Sequence, residues 1–122
     1  MSGVYDAEPM DCIFCKIVAR EIPAKVLDED EHTLAFHDVR GVAPTHVLVV
    51  PKRHLVGVRA AEEKDTELLG RVMLAGQRVA EKLGLGESGY RFVVNQGEHG
   101  GQSVFHLHLH LLGGRAMSWP PG

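Results

Sequence analysis

The chain has few cysteines, little excess charge and no long apolar run, and each scarcity excludes a class of protein. Its 122 residues include only two cysteines, too few for the disulfide framework of a small secreted protein. The net charge of −3 provides no broad basic surface, so we expect neither nucleic acid nor an anionic membrane as a partner. The longest clean apolar run, residues 47–50, is far too short to span a membrane.

The first residues also lack the features of a targeting segment. The stretch "MSGVYDAEPMD" has neither the basic nor the apolar region of a secretory signal, so we expect a soluble, cytoplasmic protein. Residues 1–10 show no periodicity and contain Gly3 and Pro9, which predicts a flexible tail. The remaining residues, 11–122, are predicted to form one domain, because their number suits a single core and they contain no repeat or linker.

The apolar patterns predict an α+β domain. A short helix is predicted over "CIFCKIVARE", and strands over "AKVLDED", "TLAFHD", "THVLVVPK", "YRFVVNQG" and the segment "FHLHLHLL". A long helix ending near Gly84 and Gly86 is predicted from apolar residues at three- and four-residue steps, which we assign to the core: Leu68, Leu69, Val72, Met73, Val79, Ala80 and Leu83. Two strand-rich segments around one long helix favour a mostly antiparallel sheet of about five strands.

Three histidines, His106, His108 and His110, alternate with leucines in "HLHLH". In a regular strand they would share one face, with the outer two about 13 Å apart. Zn–N bonds are only about 2.0–2.1 Å, so a single ion held by all three is disfavoured, as is a passive surface stripe. A set of different roles for the three histidines at a phosphorus centre explains the pattern better, because imidazole can be a nucleophile and a proton carrier near neutral pH. Asn95, the loop at residues 100–103 and His46 offer donors for phosphate oxygens.

The segment "HLHLHLL" resembles the H-φ-H-φ-H-φ-φ motif of the histidine triad (HIT) superfamily of nucleotidyl hydrolases and transferases. The flanking "GGQSVFHLHLHLLGGRAMSWPPG" and "LAFHDVRGVAPTHVLVVPKRH" are similar to its Hint branch, and the similarity extends from about residue 11 to residue 122. The resemblance implies a HIT-like fold and a purine nucleoside phosphoramidase. Such an enzyme cleaves P–N bonds of adenosine 5′-phosphoramidates through a nucleotidyl-histidine intermediate, with no cofactor for the chemistry.

The resemblance also implies roles for the catalytic residues. His108 would be the nucleophile, and His110 would contact the α-phosphate and assist proton transfer. His46 and His106 would complete the histidine cluster. Ser103 would face the leaving group; a serine-hydrolase role is disfavoured because "GGQSV" lacks the G-x-S-x-G turn.

The resemblance also implies which residues bind the nucleotide. Asn95 would hold phosphate together with the backbone of Gly101, Gln102 and Ser103. Asp38 would bind the ribose hydroxyls, between apolar walls formed by Val39, Phe14 and Ile22. Asp38 before Gly41 and Asn95 at a strand end are also typical turn residues, and that interpretation stays open.

The cysteine pair Cys12 and Cys15 has C-x-x-C spacing, which alone fits half a metal site, a redox motif or two packed thiols. No βαβ pattern follows it, which disfavours a thioredoxin-like motif. His54 and His106 could complete a zinc site, and several zinc-bearing HIT proteins use this combination while other Hint relatives lack the cysteines. We therefore predict a structural zinc, with two buried thiols as the alternative.

The expected partners follow from the resemblance. Hint proteins bind purine nucleotides and form homodimers in which the C-terminal tail reaches the partner's active site. Trp119 is accordingly predicted to lie near the site of a second subunit, although it could simply be a docked tail. A dinucleoside polyphosphate hydrolase or nucleotidyl transferase, and a nucleotide-binding adaptor protein, remain alternative functions.

Overall fold

The computed structural model describes residues 11–122, and the tail predicted over residues 1–10 lies outside the described residues. The predicted α+β class is confirmed. One antiparallel sheet contains β1 (Val26–Glu29), β2 (Thr33–His37), β3 (Thr45–Pro51), β4 (Tyr90–Val93) and β5 (Leu109–Gly113). The strand order is β1-β2-β3-β5-β4, so β5 lies inside the sheet and β4 lies at one edge.

Within residues 11–122 three α-helices accompany the sheet: α1 (Ile13–Val18), α2 (Thr66–Lys82) and α3 (Gly97–Gly100). The short 3-10 turns Val58–Ala60 and Glu63–Asp65 lie before α2. None of the helices in residues 11–122 has the length and apolar character needed to cross a membrane.

The short helix α1 ends earlier than its sequence pattern predicted. Cys12 caps its N-terminus, with the Cys12 Sγ accepting a hydrogen bond from the Cys15 amide at 3.3 Å. At the other end Arg20 adopts a left-handed conformation with φ of 66°. The amides of Arg20 and Glu21 then bond back to the carbonyls of Ile17 and Lys16, at 3.0 and 2.8 Å. This Schellman arrangement stops the helix before Pro23 is reached.

Both faces of the sheet are covered, which explains why β3 is apolar almost throughout. Val47 and Val49 pack on the α2 side, whereas Leu48 and Val50 pack on the α1 side. A strand buried on both faces loses the usual alternation of polar and apolar residues. His110 is paired directly with Leu48, so its side chain lies on the α1 face of the sheet.

The apolar stripe predicted for α2 is only partly in the core. Val72, Val79 and Ala80 are buried, but Met73 is 54% exposed, and so its assignment to the core was wrong. The sheet covers only one side of this helix, and Met73 lies beyond that side. Gly76 contacts the sheet instead, where an added Cβ would lie 2.9 Å from both Leu109 and Phe92 side-chain atoms.

The histidine segment is not one regular strand. β5 begins at Leu109, so His106 and His108 precede it. In the register of β3 and β5, Pro51 would come opposite Leu107, and proline has no amide hydrogen with which to continue the ladder. The Leu107 amide bonds to the Leu55 carbonyl at 2.6 Å instead. The prediction of one regular strand through all three histidines is therefore wrong, since His106 and His108 lie before β5.

Candidate active site

An open cleft of about 590 Å³ lies on the α1 face of the sheet. Its apolar part includes Phe14, Ile22 and Val39, and its polar part includes residues that the sequence singled out: Asp38, Ser103, His108 and His110. A concave, mainly apolar site with a few convergent polar groups is typical of small-molecule binding, and this volume falls within the usual range.

His108 is held in one tautomer by the main chain. Its Nδ1 lies 2.8 Å from the His106 carbonyl oxygen, which can only accept a hydrogen bond. The proton must therefore be on Nδ1, and Nε2 keeps its lone pair. Burial lowers the pKa of His108, so the ring is neutral near pH 7. A neutral imidazole with a free Nε2 has the form that a nucleophile requires.

His46 and His110 form a relay whose proton positions follow from a backbone amide. Val42 N–H donates to His46 Nδ1 at 3.1 Å, so the proton of neutral His46 is on Nε2. That Nε2 lies 2.9 Å from His110 Nδ1 and donates to it, which leaves the His110 proton on Nε2. His110 Nε2 is buried and has no hydrogen-bond partner within residues 11–122. Burial, with the neighbouring His108, lowers the pKa of His110 to about 4. His110 thus lines the cleft, and its Nε2–H is an unpartnered donor buried beside it.

Asp38 has a structural contact and a place in the cleft. Its Oδ1 accepts the Arg40 amide at 2.8 Å, which is a turn contact. Its Oδ2 lies 3.4 Å from His46 Nε2, and this charge opposes the lowering of the His46 pKa by burial. Asp38, His46 and His110 are close enough together to hold a metal ion. The donor set fits one poorly, because the Val42 amide keeps the His46 lone pair on Nδ1 and leaves a proton on Nε2.

Among the predicted phosphate-binding residues, Ser103 lines the cleft, whereas Asn95, Gly101 and Gln102 do not. The amides of Gly101 and Gln102 donate to the carbonyls of Glu98 and Gly97, each at 3.0 Å. The phosphate contacts expected of Asn95 and of the Gly101 and Gln102 backbone stay a prediction.

The Gln102 side chain has a structural role that the sequence did not indicate. It is buried, accepts from the Gly97 amide at 2.9 Å, and donates to the carbonyls of Val56 and Val104 at 2.8 and 3.2 Å. The approach of this side chain to the backbone at Gly57 is close, since a Cβ there would lie 3.2 Å from Gln102 Nε2. The glycine in "HLVGV" was the only feature of the sequence that could have indicated this close approach.

A second cluster lies beside the cleft and contains the predicted zinc ligands Cys12, Cys15, His54 and His106, whose ligand atoms are all within 4.8 Å of one another. The Cys12 Sγ and Cys15 Sγ lie 3.3 and 3.5 Å from His106 Nδ1, and the Cys15 Sγ lies 3.2 Å from His54 Nδ1. Tetrahedral zinc with bonds of about 2.3 Å to sulfur and about 2.0–2.1 Å to nitrogen separates S and N by about 3.6 Å. The cluster therefore has nearly the dimensions of a closed, structural zinc site.

The protonation of the cluster also suits a cation. His106 Nε2–H donates to the Pro51 carbonyl at 2.8 Å, so its Nδ1 lone pair faces the cysteines. Burial lowers the pKa of His106 to about 4, which keeps the ring neutral. Burial and the adjacent Cys12 raise the pKa of the Cys15 thiol to about 12. A bound Zn²⁺ reverses that effect, because it stabilises the thiolates directly.

The C-terminal tail is fixed to the sheet but leaves its tryptophan in solvent. Arg91 donates to the Ser118 carbonyl at 2.8 Å, and Trp119 is 80% exposed. Its predicted position at the active site of a second subunit stays a prediction.

Comparison with known proteins agrees with these features. The model of the HIT domain family matches residues 19–117. A 14 kDa zinc-binding protein from Zea mays is 52% identical over 112 residues, covering 90% of this chain and 87% of its own. The structure of a HIT family hydrolase from Legionella pneumophila Philadelphia 1 is 50% identical with a TM-score of 0.89, covering 91% of this chain and 99% of that one. A histidine triad nucleotide-binding protein from Candida albicans is 31% identical with a TM-score of 0.77, covering 89% and 82% of the two chains. The resemblance seen in the sequence is thereby confirmed, and the chain belongs to the HIT domain family.

Proposed function

We propose that this protein is a nucleotide hydrolase, specifically a purine nucleoside phosphoramidase that cleaves the P–N bond of adenosine 5′-phosphoramidates. The hydrolase from Legionella and the nucleotide-binding protein from Candida support the general class. The observation that carries the proposal is the hydrogen bond from His108 Nδ1 to the His106 carbonyl, which leaves the His108 Nε2 lone pair for attack.

In the first step His108 Nε2 attacks the α-phosphorus and forms a P–N bond, while the substrate's own P–N bond breaks. The departing amine takes a proton from solvent through the Ser103 hydroxyl, which lines the cleft and passes this proton on. The imidazole becomes cationic, and the His106 carbonyl stabilises it through Nδ1–H. In the second step water attacks phosphorus and releases a proton to solvent, the bond from phosphorus to His108 Nε2 breaks, and the nucleoside monophosphate leaves with His108 in its neutral form.

His110 and the apolar end of the cleft have different tasks in this mechanism. The unpartnered His110 Nε2–H donates to a phosphoryl oxygen whose negative charge grows in each transition state. Phe14, Ile22 and Val39 surround the purine nucleoside, and the Asp38 carboxylate accepts from its ribose hydroxyls. The nucleoside is bound by one group of residues, and the reacting phosphorus by another.

The cysteine and histidine cluster would hold one zinc ion. A closed site of four protein ligands supplies a cross-link between chain segments and leaves no position for substrate. Cys12 and Cys15 on the α1 segment would be joined to His54 and His106. We also propose a homodimer in which Trp119 lies near the partner's cleft, because this indole is 80% exposed at the end of an anchored tail.

Trapping the intermediate tests the proposal. The protein is quenched during turnover of an adenosine 5′-phosphoramidate, and mass spectrometry should locate an acid-labile nucleotidyl group on His108. His108→Ala should abolish turnover while the affinity for AMP changes by less than about tenfold. Diadenosine polyphosphate and an aminoacyl-adenylate at matched concentration should be turned over more slowly. Substantial turnover by His108→Ala would refute the covalent mechanism, and no turnover of any of the three substrates would favour an adaptor.

A further inference from the structure

One residue, His106, belongs to the zinc cluster and also contacts the proposed nucleophile, His108. The His106 imidazole Nδ1 lies in the cluster, 3.3 Å from the Cys12 sulfur. The main-chain carbonyl of the same residue accepts the His108 Nδ1 hydrogen at 2.8 Å. The hydrogen bond that selects the reactive tautomer of His108 therefore comes from a residue whose side chain is a metal ligand.

A second contact, between His108 and Phe14, also connects the proposed nucleophile with the cluster. Phe14 lies between the two cysteines in the sequence, and its ring packs edge-on against His108, with centroids 5.1 Å apart and planes at 82°. The same ring contacts His106 at 6.0 Å. Helix α1, which carries Phe14, has only six residues, and a helix of that length is not stable without external contacts. Cys12 and Cys15 supply such contacts at its beginning and middle.

We propose that Cys12, Cys15 and His54 are positioning residues for the reaction, acting on His108 through His106 and Phe14. This inference rests on the proposed function, since it takes His108 as the nucleophile. When the cluster is cross-linked, His106 Nδ1 is fixed, and the His106 carbonyl stays at His108 Nδ1. When the cross-link is lost, His106 is no longer fixed on its Nδ1 side and α1 is free to shift.

The consequence concerns the chemical step more than nucleotide binding. Without the His106 carbonyl, His108 can take the other tautomer, which carries its proton on Nε2 and cannot attack phosphorus. Displacing a reacting group by about 1 Å costs up to about 100-fold in rate. Asp38 and Val39 follow β2, and His110 is held by His46, so these contacts to the nucleotide do not depend on the cluster. Phe14 on α1 also lines the cleft, so a shift of α1 weakens nucleotide binding too, but by a smaller factor than it slows the chemical step.

The variant His54→Ala tests this coupling with little direct effect on the cleft. His54 contacts the cluster through Cys15 at 3.2 Å and lies against the His106 ring at 5.0 Å, but it does not line the cleft. His32→Ala is the matched control, because His32 has a half-exposed side chain whose ion-pair contact is with Glu31. Zinc content, kcat, affinity for AMP and the ¹⁵N signals of His108 are measured for both variants and for the parent protein at one pH.

We expect His54→Ala to lose zinc and to lower kcat by about 10- to 100-fold, while the affinity for AMP changes by less than about threefold. Its His108 ¹⁵N signals should show a mixture of tautomers, whereas the parent and His32→Ala should show Nδ1–H alone. Loss of zinc with unchanged kcat and unchanged tautomer would overturn the inference. A parallel loss of turnover and AMP binding would also overturn it, because it would indicate general unfolding.

A second measurement avoids the substitution. Zinc is removed from the parent protein with a chelator and then added back, and kcat and the ¹⁵N signals should fall and recover together. If they remain unchanged on removal, or if AMP binding is lost with them, the inference is wrong. The adduct experiment on the zinc-loaded parent separates the two proposals. If that protein forms no adduct on His108, the proposed function fails, whereas an intact adduct with no response to zinc refutes only the coupling.

Discussion

The relay from His46 to His110 predicts that these two residues act on the reaction as one unit. His110→Ala removes the only donor that the relay delivers to the cleft, and loss of one such donor to a developing oxyanion costs about 10²- to 10³-fold in kcat. His46→Ala removes the 2.9 Å hydrogen bond that keeps the His110 proton on Nε2. A net hydrogen-bond energy of about 1 kcal/mol corresponds to a loss of roughly fivefold.

The double variant distinguishes a relay from two separate contributions. If His46 acts only through His110, the double variant should have the kcat of His110→Ala, and the coupling energy should equal the whole effect of His46→Ala. Single-turnover rates at saturating phosphoramidate measure this, with AMP affinity as the check on folding and His32→Ala as the control. Effects that multiply in the double variant would show that His46 contributes independently and would refute the relay.

Three further predictions concern pH, packing and assembly. Burial lowers the pKa values of His108 and His110, the latter to about 4. We therefore expect kcat/KM to stay constant as the pH is lowered to 6.5 and to fall only below that, as these rings become protonated. A fall of kcat/KM with its midpoint at or above pH 6.5 would contradict the mechanism with neutral histidines. Gly76→Val should destabilise the fold by about 1–3 kcal/mol in denaturant unfolding, because a Cβ there lies 2.9 Å from Leu109, and an unchanged midpoint would show that α2 can move away. Trp119→Ala should slow turnover of substrates with bulky amine leaving groups more than that of small ones, while sedimentation still shows a dimer; a monomeric parent protein would contradict the proposed assembly.

Much of the fold was predictable because its signals are local. The strands β1, β2 and β4 and the helix α2 appear as short apolar patterns bounded by turn residues, and such patterns follow from the backbone periodicity of each element. Met73 shows the limit of this reasoning. Its spacing matches the apolar stripe, yet the side chain is 54% exposed, because only the position of the sheet decides which part of a broad stripe is covered.

The site was predictable as a set of residue types. The repeated histidines and the C-x-x-C pair indicated phosphorus chemistry and a metal, and the structure brings together the four predicted zinc ligands. The separation of His106 from the other two histidines was not predictable from the alternating pattern. It follows from the end of the β3–β5 ladder at the Val49–Leu109 pair and from the Pro51 carbonyl, a partner 55 residues away in the chain that holds the His106 ring.

The residues of this chain are therefore sufficient to point to phosphorus chemistry and to candidate metal ligands, because imidazole and thiol groups are chemically distinctive wherever they occur. The choice of His108 as nucleophile came from the resemblance to the HIT superfamily and stays a prediction. The roles of the individual histidines depend on folded main-chain groups: the Val42 amide for His46, the His106 carbonyl for His108 and the Pro51 carbonyl for His106. Amides and carbonyls are common to nearly all residues and leave no mark in a sequence. Only their arrangement in three dimensions assigns each proton to one nitrogen, and the proposed roles of nucleophile, donor and ligand depend on that assignment.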